Sequence, residues 1–165
     1  MTTAPRPLGD RARASTFVAV PPAAAFDVFT RETDLWWGRG PRFRFGGARR
    51  GTLTFEPRLG GRLFEAFDDG PSVLLVGEIL AWEPPERLVF TWRLTNFAPG
   101  EQTEVEVRFA AAEGGTNVTV EHRGWLSLPS GHPARHGKEG LAFTSNIGAW
   151  WGDLLMSFRR RARGD

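Results

Sequence analysis

His122 and Glu65 are the side chains of this sequence whose type and placement could support acid–base chemistry. His122 alternates with two valines in the strand-like run of residues 116–123, so its side chain shares their face. Glu65 alternates in the same way with Leu63 and Phe67. A histidine and a carboxylate on one apolar face can orient a polar ligand group or transfer a proton. A histidine that is simply hydrogen-bonded within the core is the competing interpretation, and the sequence leaves both open.

The other two histidines, His132 and His136, have the spacing of a pair of metal ligands. They are four residues apart, which would place them on one face of a helix. Gly131, Pro133 and Gly137 interrupt this segment and favour a loop. No acidic residue is placed by the sequence to complete a ligand set, so we predict no metal site.

The sequence also lacks a recognisable set of nucleophilic catalytic residues. It contains no Cys and no Tyr, and no serine stands in a nucleophile-elbow context. We therefore predict no catalytic residue and no cofactor, and we favour a binding protein over an enzyme.

The basic residues are almost all arginines. Lys138 is the only lysine among 21 basic residues, and the net charge is only +2 although the isoelectric point is near 10.3. Arginine keeps its proton far above neutral pH, so this isoelectric point implies no strong positive field at pH 7. We predict no nucleic-acid partner. The two arginine clusters lie in residues 39–50 and 159–163. Phosphate or anion binding is one interpretation, and the favoured one is a solvated loop and cations that the dipole favours at a helix C-terminus.

Length and composition fit one domain of 165 residues with a sizeable core. No apolar run approaches the roughly 20 residues that span a bilayer, and residues 1–14 lack the apolar region of a secretory signal. The absence of cysteine is compatible with a reducing cytoplasm. We predict a cytoplasmic protein with a flexible tail at residues 1–13 and a single domain at residues 14–163.

Alternating residues and turn signals predict a sheet of consecutive hairpins. Gly60-Gly61 permits a tight turn, and Pro84-Pro85 closes a strand because proline cannot donate to a sheet ladder. These signals predict strands at residues 11–20, 52–56, 62–67, 72–82, 87–94, 103–111 and 116–123. The sheet is expected to be antiparallel, with six or seven strands, one wet face and one apolar face.

Helices are predicted at two places. Two short helices, at residues 23–30 and 32–37, follow the first strand, and Phe26 and Phe29 of the first point inward. A long helix is predicted at residues 137–161, where apolar side chains recur at three- and four-residue steps: Phe143, Ile147, Trp150, Trp151, Leu154 and Phe158. A curved sheet around one long helix is an α+β helix-grip fold, which can leave a pocket between sheet and helix.

The faces of these elements define the candidate ligand-binding residues. They are the inward-facing side chains of the central strands and of the long helix, together with the two ionisable groups: Phe90, Trp92, Val107, Val120, His122, Glu65, Trp150, Trp151 and Leu154. Most of the seven tryptophans are expected to be core residues, because tryptophan fills large volumes.

The order of several short motifs resembles a known superfamily. These motifs are Pro21-Pro22 through Phe26, Trp36-Trp37, Glu56 through Glu65, Gly77-Glu78, Pro84-Pro85 through Trp92, Gly115-Thr116, Glu121 through Trp125, and the late helix with Trp150 and Leu154. In this order they resemble the SRPBCC superfamily, the START-like and birch-pollen-allergen-like helix-grip fold. The chain looks closest to bacterial homologues of the activator of the heat-shock chaperone ATPase. The resemblance covers residues 14–160 and implies the fold. It implies no single function, because the superfamily includes lipid carriers, polyketide cyclases and hormone receptors.

Three functional hypotheses follow. The first is binding of a small apolar or amphipathic molecule between the sheet and the long helix. The second is a cyclase- or hydratase-like enzyme that uses His122 and Glu65 as acid and base. The third is a protein-binding module, co-chaperone-like or homodimeric, that uses the arginine-rich loop of residues 39–50.

The sequence departs from the superfamily where Ala149 replaces the usual glycine before the helix tryptophan, so the pocket volume is expected to differ.

Overall fold

The fold is built on an antiparallel sheet that curves around a C-terminal helix. A computed structural model describes residues 8–164, and residues 1–7 and 165 lie outside the described part. The strands are β1 (Arg11–Val18), β2 (Gly51–Phe55), β3 (Arg62–Phe67), β4 (Val73–Glu83), β5 (Arg87–Trp92), β6 (Thr103–Ala112) and β7 (Gly115–Arg123). The helices are α1 (Pro22–Arg31), α2 (Thr33–Trp36) and α3 (Gly140–Ala162). Within residues 8–164 the sheet has seven strands in the order β1-β7-β6-β5-β4-β3-β2. The predicted helix-grip architecture is confirmed.

The alternating sequence pattern matches the two faces of the sheet. In the β6–β7 pair, Val105 lies opposite His122 and Val107 lies opposite Val120, and all four side chains are buried. The opposite face of the same strands carries ion pairs, such as those of Arg123 with carboxylates on β6 and β7. One face therefore supplies the core and the other is charged, as expected for an antiparallel sheet covered on one side.

The Gly60-Gly61 hairpin forms as predicted. Gly60 has φ +77°, in the left-handed region that other residues avoid. Across the turn, Arg62 donates to Glu56 through its Nε and its backbone N–H, each at 2.8 Å from Oε1. These hydrogen bonds from Arg62 lower the pKa of Glu56 to about 2. The pair is therefore a structural ion pair that fixes the turn.

The short helices and half of α3 fill the concave side of the sheet. Pro22 begins α1, since a missing N–H is harmless at a helix start. Phe29 of α1 contacts Trp36 of α2 at 4.9 Å and Phe158 of α3 at 5.5 Å between ring centroids. Gly148 lets α3 approach β1 closely, because a Cβ there would stand 3.2 Å from the carbonyl oxygen of Arg13. The aromatic contacts among α1, α2 and α3 close the middle of the concave side of the sheet.

Several element boundaries differ from the sequence prediction by one to three residues. The long helix begins at Gly140, three residues later than expected, because Gly137 has φ +78° and Glu139 is extended. The first strand begins at Arg11 as predicted, so residues 11–13 belong to the sheet and not to a flexible tail. The rest of the predicted tail, apart from residues 8–10, lies outside the described residues. No helix between residues 8 and 164 is long and apolar enough to cross a membrane.

Candidate ligand-binding site

A cavity of about 670 Å³ lies between one end of the sheet and the N-terminal half of α3. Four parts of the chain line it: the sheet (Trp92, His122), the α2–β2 loop (residues 41–45), the β5–β6 loop (residues 94–97), and the segment from Trp125 to Trp150 that contains the first half of α3. From α3 come Phe143, Asn146, Ile147, Ala149 and Trp150. A small organic molecule fits a cavity of this volume.

Tryptophan and phenylalanine rings form a large part of the cavity wall. Trp92 of β5 contacts Trp150 of α3 in an edge-on arrangement, with 5.9 Å between ring centroids. Trp125, which follows β7, contacts Phe143 of α3 and His122 of β7, each at 4.7 Å between ring centroids. These aromatic rings have flat, apolar faces and weakly polar edges. Such rings can stack on a planar molecule.

His122 is a buried, neutral side chain of this wall. Its Nδ1 accepts a hydrogen bond of 3.2 Å from the indole N–H of Trp151, so the ring proton resides on Nε2. That nitrogen donates to Oγ1 of Thr103 at 2.8 Å, and the Thr103 hydroxyl donates to the carbonyl of Trp92 at 3.3 Å. Burial lowers the pKa of His122 to about 3. The histidine therefore orders the tryptophans that surround the cavity, and both of its nitrogens are occupied.

Glu65 has a different role from the one that its parity suggested. Its Oε1 accepts hydrogen bonds of 3.1 Å from the backbone N–H groups of Phe45 and Gly46, and its Oε2 lies 3.9 Å from a guanidinium nitrogen of Arg44. Among residues 8–164 no hydrogen bond joins Glu65 to His122. The acid–base pair of the second hypothesis is not formed, because Glu65 is committed to holding the α2–β2 loop.

The arginine-rich loop is attached to the rest of the molecule by internal contacts. Arg44 is buried and donates to Oδ1 of Asp34 at 2.6 Å and to the carbonyl of Trp37 at 3.1 Å. Arg42 forms an ion pair of 2.7 Å with Asp153 of α3, and its carbonyl accepts a 2.9 Å hydrogen bond from the indole of Trp150. The loop is therefore a fixed wall of the cavity.

The segment between β7 and α3 forms the opposite wall. It contains a 3-10 turn at Pro133–Arg135, and His136 has φ +50°, so the predicted loop is confirmed. His132 caps this turn through Nδ1 and binds Oε1 of Glu101 through Nε2 at 2.8 Å. His132 thus links this segment to the β5–β6 loop, and the described residues hold no cluster of three potential metal ligands around it.

Comparison with known proteins assigns the family. The family described as activator of Hsp90 ATPase homolog 1-like protein matches residues 19–155, which is most of the chain. The chain belongs to this family. Among curated proteins no significant match is found. Membership agrees with the resemblance that the sequence motifs indicated, and the structure agrees with the helix-grip fold of such proteins.

Solved structures similar to this family member include proteins with different described roles. Protein MLL2253 from Mesorhizobium loti is 20% identical with a TM-score of 0.65, and the match covers 94% of this chain and 98% of that one. An HSP90 activator from Plasmodium falciparum is 19% identical with a TM-score of 0.58, covering 90% and 92%. Txn09, an anthrahydroquino-gamma-pyrone synthase complexed with SUM, is 30% identical with a TM-score of 0.56, covering 93% and 97%. The first two likenesses show the fold alone.

The structure brings together only part of the predicted site of this family member. Trp92, His122 and Trp150 line the cavity, and Trp151 lies directly behind it against His122. The remaining candidates are buried away from the cavity wall: Phe90, Val107, Val120, Leu154 and Glu65. Parity identified the inner face correctly, but α1, α2 and the second half of α3 fill the middle of that face, so the four apolar side chains pack in the core and Glu65 holds the α2–β2 loop.

Several cavity residues were not among the predicted site residues. Phe97 and Arg135 lie in connections without periodicity, and no sequence signal places them at the cavity. Phe143 and Ile147 belong to the predicted apolar stripe of α3, and their position at its N-terminal end was the available signal. Asn146, on the same face, interrupts the stripe with a polar side chain, which is typical of a helix face that borders a site.

Proposed function

We propose that this protein binds a small, planar, amphipathic molecule in the cavity between the sheet and the first half of α3. The observation that supports the proposal most directly is a cavity of about 670 Å³ whose lining includes three tryptophans and four phenylalanines. The rings are held by hydrogen bonds from the indoles of Trp150 and Trp151, so the wall is preorganised. Preorganised apolar walls lower the ordering cost of binding.

The polar groups at the cavity support an amphipathic ligand over a purely apolar one. Thr95, Asn96 and Asn146 are exposed lining residues, whereas Trp92 and Phe143 are buried lining residues. A ligand with one apolar and one polar end matches this gradient from interior to solvent. The internal contacts of the arginine-rich loop give no support to the protein-binding hypothesis.

An enzymatic role is the second candidate, and the 30% identity to a pyrone synthase favours it. As an enzyme, the protein would hold a flexible substrate in a reactive conformation within the cavity. This positioning accelerates an intramolecular reaction without a strong acid or base. His122 would not be the acid or the base, because both of its nitrogens are occupied inside the protein. The two candidates share one binding site and differ only in whether bound molecules are transformed.

Fluorescence titration with N-phenyl-1-naphthylamine, a neutral aromatic probe, tests the binding proposal. Saturable binding is expected with a Kd on the order of 1–100 µM, from the affinity per atom usual for ligands of this size. Ala149→Trp should abolish it, because Ala149 is exposed and lines the cavity. Ser145→Trp places the same ring on an exposed position of α3 outside the lining and should leave binding unchanged.

Two results would contradict the proposal: no saturable binding to the folded wild-type protein, or equal binding to both tryptophan variants. Mass spectrometry under native conditions, on protein purified from its own host, then identifies a retained ligand. Incubation of that ligand with the protein separates the carrier from the enzyme, because only an enzyme converts it to a product.

A further inference from the structure

The side chains that line the cavity include three arginines and no carboxylate. Arg42, Arg44 and Arg135 lie on its wall, and the described lining residues include no aspartate and no glutamate. A cleft lined by charge of one sign, with apolar walls, concentrates the electrostatic potential and attracts ligands of the opposite sign.

Two of the three arginines are neutralised within the protein. Arg44 forms an ion pair of 2.6 Å with Asp34. Oε2 of Glu65 lies 3.9 Å from the same guanidinium nitrogen. Arg42 forms an ion pair of 2.7 Å with Asp153. These two residues contribute little net charge to the cavity.

Arg135 is different, because its close partners are uncharged. Its side chain is only 5% exposed, and its terminal nitrogens donate to the carbonyls of Trp125, Leu128 and Pro129 at 2.6, 3.0 and 2.6 Å. Its nearest carboxylate belongs to Glu139, 3.7 Å from Nε, on a side chain that is 56% exposed. An exposed carboxylate beyond hydrogen-bond distance compensates a buried cation only weakly. The cavity wall therefore holds a buried guanidinium whose hydrogen bonds go to carbonyl oxygens and whose ion pair with Glu139 is long and partly exposed to solvent.

We propose that the ligand carries an anionic group, such as a carboxylate or an ionised phenol, and that Arg135 is the residue that recognises it. The aromatic body of the ligand then lies against Trp92, Trp125 and Phe143, with its acidic group directed to the guanidinium. An anionic group of the ligand would add a charged partner to the carbonyl hydrogen bonds of Arg135 and further offset its desolvation. This inference rests on the proposed function, because it concerns the same cavity.

A matched pair of probes separates charge from shape. N-phenyl-1-naphthylamine is neutral, and 8-anilinonaphthalene-1-sulfonate is the same ring system with one sulfonate. The anionic probe is expected to bind at least about tenfold more tightly, a difference of about 1.4 kcal/mol. Raising NaCl from about 20 mM to about 500 mM should shrink this preference and leave the neutral probe unaffected, because salt screens charge.

Variants at an exposed lining position assign the preference to the cavity. Asn146→Glu adds a negative charge to the wall and should remove the preference for the anion, whereas the matched control Asn146→Gln should keep it. Arg135→Gln should lose the preference as well, provided that circular dichroism shows an intact fold, and Arg160→Gln removes an exposed arginine at the far end of α3 without effect.

The outcomes distinguish this inference from the function on which it rests. Tighter binding of the anion that disappears in Asn146→Glu supports the inference. Equal affinity for both probes overturns the inference and leaves the ligand-binding function intact. An anion preference that Asn146→Glu does not change also overturns it, since the sulfonate then binds elsewhere. Failure of both probes to bind the folded protein overturns the proposed function itself.

Discussion

The indole N–H of Trp151 donates a hydrogen bond to Nδ1 of His122 across the interface between α3 and β7, at 3.2 Å. Both side chains are 1% exposed. The bond fixes the histidine as the neutral tautomer with its proton on Nε2, and it joins the helix to the strand behind the cavity wall. The stability of this interface therefore depends on His122 remaining uncharged.

Stability is expected to fall in weak acid because of His122. Its pKa is about 3 in the folded protein, against 6.5 for an ordinary histidine. Between these values the unfolded chain binds a proton at this position and the folded chain does not, so the free energy of unfolding decreases by about 1.4 kcal/mol for each pH unit of acidification. His122→Asn keeps an acceptor near Trp151 and should lose this contribution. Urea unfolding at several values between pH 7 and pH 4 measures it.

His136→Asn is the control for the pH experiment. His136 is exposed and has φ +50°, a conformation that asparagine tolerates. Its pH profile should follow that of the wild type. If His122→Asn follows the wild type too, His122 is not the buried neutral group that the structure describes.

The adjacent residues Trp150 and Trp151 are expected to behave differently when each is changed to phenylalanine. Trp150→Phe removes the hydrogen bond to the carbonyl of Arg42 at the cavity wall and should weaken probe binding by about 0.5–1.5 kcal/mol, or about two- to tenfold in Kd. Trp151→Phe leaves Nδ1 of His122 without a donor and should lower the free energy of unfolding by about 1–3 kcal/mol. Paired titration and urea unfolding of both variants measure these effects; the same change in affinity in both would contradict the assignment.

Asp34 is expected to be the acidic residue on which the α2–β2 loop depends most. Burial alone would raise its pKa, but the backbone N–H of Leu53 and the guanidinium of Arg44 outweigh burial, so the pKa lies below its usual value of 3.8. Asp34→Asn leaves buried Arg44 poorly compensated and should lower the free energy of unfolding by about 3 kcal/mol at pH 7.

The effect of Asp34→Asn should diminish in acid. A carboxylate with a lowered pKa stabilises the fold above its unfolded pKa and loses this contribution as the pH falls through the folded value. Chemical unfolding of both proteins at pH 7 and near pH 3 measures the difference. Asp69→Asn breaks an exposed pair with Arg49 and should change stability far less; equal effects of the two substitutions would show that the loop does not depend on the buried pair.

Substitution by alanine is expected to have different effects on stability at two glycines of α3. A Cβ at Gly152 meets no atom within 4 Å, so Gly152→Ala should stabilise the protein by about 0.5–1 kcal/mol through helix propensity. A Cβ at Gly148 stands 3.2 Å from the carbonyl of Arg13, and this close contact should cancel the same gain. Urea unfolding of both variants measures these two changes in the free energy of unfolding. Equal stabilisation by both would mean that α3 does not approach β1 as closely as described.

The fold was predictable from the sequence because its main signals are periodic. Alternation along residues 103–123 set the faces of β6 and β7, and the three- and four-residue steps from Phe143 to Phe158 set the inner face of α3. Pro22 and Gly60 marked a helix start and a hairpin turn for steric reasons that hold in any context. Each of these signals acts within one element, so no knowledge of the tertiary structure was needed.

The site was less predictable, because its position depends on what fills the rest of the concave face. Parity places Phe90 and Trp92 on the same side of β5, yet Phe90 contacts Phe55 in the core and Trp92 lines the cavity. The difference arises from α1, α2 and the second half of α3, which cover the part of the concave face that contains Phe90 and leave Trp92 at the cavity. Arg135 and Phe97 come from connections whose conformation depends on hydrogen bonds between distant segments, such as that of His132 with Glu101.

The two halves of α3 have separate tasks. Phe143, Asn146 and Ile147 face the cavity, whereas Leu154 and Phe158 close the core. Under the proposed function, substitutions at the less buried Asn146 and Ile147 can change which molecule fits, while Leu154 and Phe158 keep the chain folded. On that proposal, a single helix is a scaffold at one end and a specificity surface at the other, and diversification of binding needs only a few changes within about two turns of helix.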